Sequence, residues 1–143
     1  MNRARVLLLA LAALSLTAGS CGGGGSASSG SAEHEPHQAN CHPQGEAITL
    51  VAHNTRLDPT CLAAAAGKGL EVRFDNQDGG ARHNFSVYSA DPAVDSNAKA
   101  LFRGMIVQGP AMITYEVPPL AAGTYHFQCD VHPVQMRGVF VAE

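Results

Sequence analysis

The sequence predicts an all-β domain, an antiparallel two-sheet Greek-key β-sandwich of about seven short strands with one short helical turn. Two observations predict it. Leu70, Val72 and Phe74 alternate with Glu71 and Arg73, the period-2 pattern of a strand with one buried face, and similar short segments recur along the second half of the chain. Turn clusters such as Asn76-Gln77-Asp78-Gly79-Gly80 separate these segments, as in two-sheet folds. Composition agrees. The 143 residues are 45% hydrophobic and 15% charged, enough for one domain with its own core.

The expected domain begins near Ala47 and runs to Glu143. Ile48 to Ala52 is its first strand and Leu70 to Phe74 the next clear one. Between them, Cys61-Leu62-Ala63-Ala64-Ala65-Ala66, ended by Gly67, reads as one or two helical turns because alanine favours helix. His83, Phe85 and Val87 share one face of a further strand, and Asp91 to Phe102 reads as a loop with a helical turn. Ile113, Tyr115 and Val117 form the inward face of a strand stopped by Pro118-Pro119. Gly123 opens a strand in which Tyr125, Phe127 and Cys129 point inward, while His126 and Gln128 have the opposite parity and point outward. Gly138 to Ala142 is the last strand.

Residues 1–20 read as an export signal. Arg3 and Arg5 precede an apolar run from Val6 to Leu16, too short for the roughly 20 residues that span a bilayer. Small residues then lead to Cys21, resembling a bacterial lipobox, with Ala18 where that motif most often has Leu. The expectation is an exported protein, periplasmic or on the cell surface, tethered to the membrane through lipid on Cys21. Residues 21–46 read as a linker: Gly22 to Ser31 is Gly, Ser and Ala only, followed by a polar arm with His34, His37 and His42. Removal of residues 1–20 takes two of the nine basic residues and none of the twelve acidic ones, so the formal charge moves from −3 to −5. No basic patch points to nucleic acid, and a monomer is expected.

The chemistry is concentrated in Cys129-Asp130-Val131-His132-Pro133-Val134-Gln135-Met136. A thiolate, an imidazole and a thioether within one short loop suit a redox-active copper ion; Cys and two His with a long axial Met is a blue-copper ligand set. His83, after a Gly-rich turn, supplies the second imidazole. Zinc competes for Cys and His, but a thioether suits it poorly. Gln135 beside Met136 is an alternative axial donor.

The stretch from about Ile48 to Val141 resembles the cupredoxins, the family of plastocyanin, azurin and amicyanin. The matching pieces are His83-Asn84, Gly123 to Cys129, then His132 and Met136. The resemblance implies one type 1 copper held by His83, Cys129, His132 and Met136, with Asn84 tying the two ligand loops together. The spacing Cys-x2-His-x3-Met lies between the plastocyanin-like loop, one residue longer before Met, and the amicyanin-like loop, one shorter. It also implies an electron carrier that docks redox partners transiently around His132, Pro133 and Val134, with Pro110 and Ala111 nearby. Delivery or storage of copper for another exported protein is the alternative. No enzyme is expected: the His-x-His pairs of multicopper oxidases are missing, and so is the second loop Cys of dinuclear copper sites. Cys41 and Cys61 remain, and in an exported chain they are expected to pair as a disulfide.

Overall fold

The computed structural model describes Cys41, Gly45 and residues 47–143. The export signal, Cys21, the Gly/Ser linker and His34, His37 and His42 lie outside the described residues. Eleven strands follow in order: β1 (Ala47–His53), β2 (Arg56–Asp58), β3 (Cys61–Ala64), β4 (Leu70–Asn76), β5 (Arg82–His83), β6 (Ser86–Tyr88), β7 (Ala100–Arg103), β8 (Val107–Gln108), β9 (Ala111–Val117), β10 (Gly123–Gln128) and β11 (Arg137–Ala142). One sheet has the order β2-β1-β4-β9, the other β3-β11-β10-β6-β7, and β5 pairs with β8 in a small ladder of its own.

The two larger sheets enclose one core. Ile48, Leu50 and Ala52 of β1 alternate inward, as do Leu70, Val72 and Phe74 of β4. The other sheet contributes Leu62, Val87, Phe127 and Phe140. Phe85, fully buried between β5 and β6, packs against Phe102, Tyr115 and Phe127 at ring-centroid distances of 5.5–6.4 Å. At roughly 25 cal/mol per Å² of apolar surface, burying side chains of this size is the dominant favourable term for the domain.

Three expectations are corrected. The segment Cys61–Ala66 is not helical: Cys61–Ala64 is β3, paired in parallel with Val139–Ala142 of β11. Three consecutive residues, Leu62, Ala63 and Ala64, are buried there, so no alternation marks the strand, and tertiary pairing overrides alanine's weak helix preference. The sheets are mixed rather than purely antiparallel, because β1–β4 and β3–β11 run parallel. Asp91–Phe102 contains turns in which the Asp91 and Asp95 carboxylates accept from the Ala93 and Asn97 amides, then enters strand β7.

Cys41 and Cys61 form a disulfide with Cα atoms 5.7 Å apart, which ties the chain ahead of β1 to β3. Cys129 is buried and free.

Candidate metal centre

Strands β10 and β11 pair in register up to Gln128 opposite Arg137, so residues 129–136 form the connecting loop at one end of the sandwich. The loop is closed by its own backbone. The Cys129 amide donates to the Met136 carbonyl (2.8 Å), the His132 amide to the Cys129 carbonyl (3.2 Å), and the Met136 amide to the His132 carbonyl (3.0 Å). Cys129 and Met136, at the two ends of the loop, are both fully buried in the core. Just past the loop, Gly138 lets β11 pass close to the Thr60 carbonyl and the Phe127 ring, which a Cβ would clash with. His132 is half-buried, whereas Val131, Pro133, Val134 and Gln135 are exposed.

His83 reaches the same place from β5. It is fully buried, and its Nδ1 lies 3.8 Å from Cys129 Sγ and 3.1 Å from His132 Nδ1. The donor atoms of His83, Cys129 and His132 all lie within 4.8 Å of one another. A trigonal ion with bonds of about 2.0 Å to nitrogen and about 2.3 Å to sulfur sets nitrogens about 3.5 Å apart and nitrogen and sulfur about 3.7 Å apart. The two distances from His83 Nδ1, 3.8 Å to sulfur and 3.1 Å to nitrogen, are close to the sides of that triangle. His83 Nε2 lies 3.0 Å from the Asp78 carboxylate, an acceptor only, which assigns the proton to Nε2 and leaves a lone pair on Nδ1. Two imidazole lone pairs facing each other at 3.1 Å repel unless a proton or a cation lies between them.

Asn84, almost fully buried, joins the two ligand segments. Its Oδ1 accepts from the Asp130 amide (2.7 Å), and its Nδ2 faces Asp130 Oδ2 (3.0 Å), the Gly104 carbonyl (3.0 Å) and Ser86 Oγ (3.1 Å). Ser86 Oγ also donates to Asp130 Oδ2 (2.7 Å), and Tyr88 Oη donates to Asp130 Oδ1 (2.6 Å). Burial alone would raise the Asp130 carboxyl, but hydrogen bonds from Tyr88, Asn84, Ser86 and Gln128 outweigh it and lower its pKa. Burial, then the neighbouring Asp130 carboxylate, pushes Tyr88 up to about 12.

His126 stands apart from this cluster. It points away from Cys129, 3.1 Å from Gln128 Oε1 and 3.9 Å from Asp91. Gln128 was expected to face outward; it is buried instead, in a stretch where Asp91 also reaches Arg137 (3.3 Å). Sequence reasoning missed Asp130 and Asp78. Asp130 was visible only as the neighbour of Cys129, and Asp78 only as one residue of a turn cluster.

A β-sandwich with one thiolate and two imidazoles converging at one end, and Met136 buried at the end of the same loop, defines a class: proteins built to hold one soft metal ion. The chain belongs to the cupredoxin-like domain family, whose model matches residues 26–142. Solved structures with the same fold include auracyanin A, a "blue" copper protein from the green thermophilic photosynthetic bacterium Chloroflexus aurantiacus. It has 20% identity and a TM-score of 0.60 over 68% of this chain and 98% of that one. The dithionite-reduced auracyanin of the photosynthetic bacterium Roseiflexus castenholzii has 19% identity and a TM-score of 0.60 over 69% and 98%. Auracyanin B has 18% identity and a TM-score of 0.56 over 73% and 92%. No curated protein sequence matches the chain.

Proposed function

We propose that this protein is an extracytoplasmic electron carrier. In this reading it holds one type 1 copper ion through His83 Nδ1, Cys129 Sγ and His132 Nδ1, with Met136 as the weak fourth ligand. The observation that carries the reading is the convergence of these three donor atoms within 4.8 Å beside the fully buried Met136. Bound copper supplies one-electron chemistry between Cu(I) and Cu(II), which a soft sulfur and nitrogen set supports in both states.

The chain's own part is to hold the donors still and dry. The loop hydrogen bonds fix Cys129 relative to His132 and Met136, and Asn84 fixes that loop to His83. Cys129, His83 and Met136 have no exposure, so water is kept from three of the four donors. His132 is the partly exposed one, and it is framed by Val131 (41% exposed) and Val134 (71% exposed). This apolar rim, with Pro133, suits a brief encounter with a redox protein over a small interface. The site is read as a carrier's rather than an enzyme's. The export signal and a lipid on Cys21 would place the domain outside the cytoplasm on a membrane tether, which intact-mass measurement of the mature chain tests.

Adding Cu(II) to the purified domain is expected to give an intense thiolate-to-copper absorption in the visible, bleached by reductant. Cys129→Ser should lose that band. A Cys129→Ser protein with the same band would refute the ligand assignment.

A further inference from the structure

The geometry points to Asp78 as the residue that positions His83 and fixes its tautomer, held in place for that purpose by the β1–β2 turn. The inference rests on the proposed copper site for its ligand and extends it to a carboxylate outside that set. Asp78 Oδ2 accepts from His83 Nε2 at 3.0 Å. The carboxylate is itself gripped by backbone: Oδ1 accepts from the Asn54 amide (2.6 Å), and Oδ2 accepts from the Thr55 amide (2.9 Å). These amides converge because Asn54 and Thr55 both lie in the left-handed region, at φ 52° and 56°. That conformation is unusual for a β-branched residue and is associated with functional sites.

The other side of Asp78 is equally constrained. Its amide donates to Asn76 Oδ1 (3.0 Å), and the fully buried Asn76 donates through Nδ2 to the Val107 carbonyl (2.9 Å) and the Ala81 carbonyl (3.0 Å). The Gly109 backbone seals this corner, since a Cβ there would sit 2.5 Å from the Asp78 carbonyl and 2.7 Å from Asn76 Oδ1. His53 Nδ1 lies 3.8 Å from Asp78 Oδ1, beyond hydrogen-bond distance. The Asp78 side chain is 13% exposed and His83 is not exposed at all, so the contact between them is largely screened from water.

A carboxylate on the far nitrogen of a metal-binding imidazole fixes the ring's tautomer and orientation and makes the near nitrogen a stronger donor. A stronger donor favours the more highly charged ion, so Asp78 holds the Cu(II)/Cu(I) potential down.

The test uses Asp78→Asn, Asp78→Ala and the control Asp75→Asn. The control removes the charge of Asp75, whose Oδ2 accepts from Gln77 Nε2 (2.7 Å), without touching His83. In the metal-free wild type, nitrogen-15 NMR is expected to show His83 protonated at Nε2. Asp78→Ala should populate the other tautomer. With Cu(II) alone as probe, both Asp78 variants should bind about 10–100-fold more weakly, at a raised potential, while Asp75→Asn stays within about twofold of wild type. A wild-type His83 protonated at Nδ1, or unchanged Cu(II) affinity in Asp78→Asn, overturns the role of Asp78. The Asn variant and the wild-type spectrum decide the matter even if Asp78→Ala does not fold. Failure of the wild type itself to bind Cu(II) instead overturns the copper site, and the NMR result still reports on the Asp78–His83 contact.

Discussion

Replacing Asp130 with Asn should destabilise the metal-free domain. Tyr88 Oη at 2.6 Å, Ser86 Oγ at 2.7 Å and Asn84 Nδ2 at 3.0 Å donate to this carboxylate. A hydrogen bond to a charged group contributes about 1.5–3 kcal/mol. Ser86 and Asn84 share one oxygen and Asp130 is partly exposed, so the three overlap, and the expected loss is about 2–4 kcal/mol. With an m-value of about 1–3 kcal/mol per molar urea, the midpoint should fall by roughly 1–2 M. Far-UV circular dichroism during urea unfolding of the copper-free domain measures it. The same variant should lower the Tyr88 pKa, which burial and the Asp130 carboxylate push up to about 12. A phenol raised by folding contributes stability that is fully present below its unfolded value near 10 and is lost as pH rises through the folded value. Wild type should therefore lose stability between about pH 10 and pH 12, and Asp130→Asn should lose less over that window. A midpoint shift under roughly 0.3 M, about half a kcal/mol, with an unchanged alkaline limb, would refute this account of the Asp130 network.

Two further outcomes follow from the site. Met136→Leu conserves volume at a fully buried position, so the metal-free domain should lose less than about 1.5 kcal/mol; it should keep copper, with a raised potential, as potentiometry would show. Val134→Asp leaves every proposed ligand in place and adds a charge to the exposed rim, so colour and Cu(II) affinity should persist while electron exchange with the physiological partner slows. Unchanged electron exchange together with slower transfer of Cu(I) to a metal-free acceptor would favour copper delivery instead.

Much of this protein was legible in its residues. Alternation in Leu70–Phe74 and Ile113–Val117 announces strands and their buried faces, because side-chain direction along a strand depends only on local backbone geometry. The spacing Cys129, His132, Met136 announces the proposed metal loop for a similar reason, since residues so close in sequence must lie close in space. Asn84 as the tie between the two loops was legible only through the resemblance to cupredoxins, not from its position alone.

What the tertiary structure alone decided concerns partners distant in sequence. The direction of a neighbouring strand leaves no trace in the strand's own alternation, so the parallel pairing of β1 with β4 and of β3 with β11 was not visible. Cys61–Ala64 became a strand only because β11 lies beside it. Asp78 and Asp130 are ordinary acids in sequence. Asp78 acquires its role from the amides of Asn54 and Thr55, more than twenty residues earlier, and Asp130 from Asn84, Ser86 and Tyr88, more than forty residues earlier. A hydrogen bond depends on distance and angle in space, and only the closed sandwich sets those for groups so far apart along the chain.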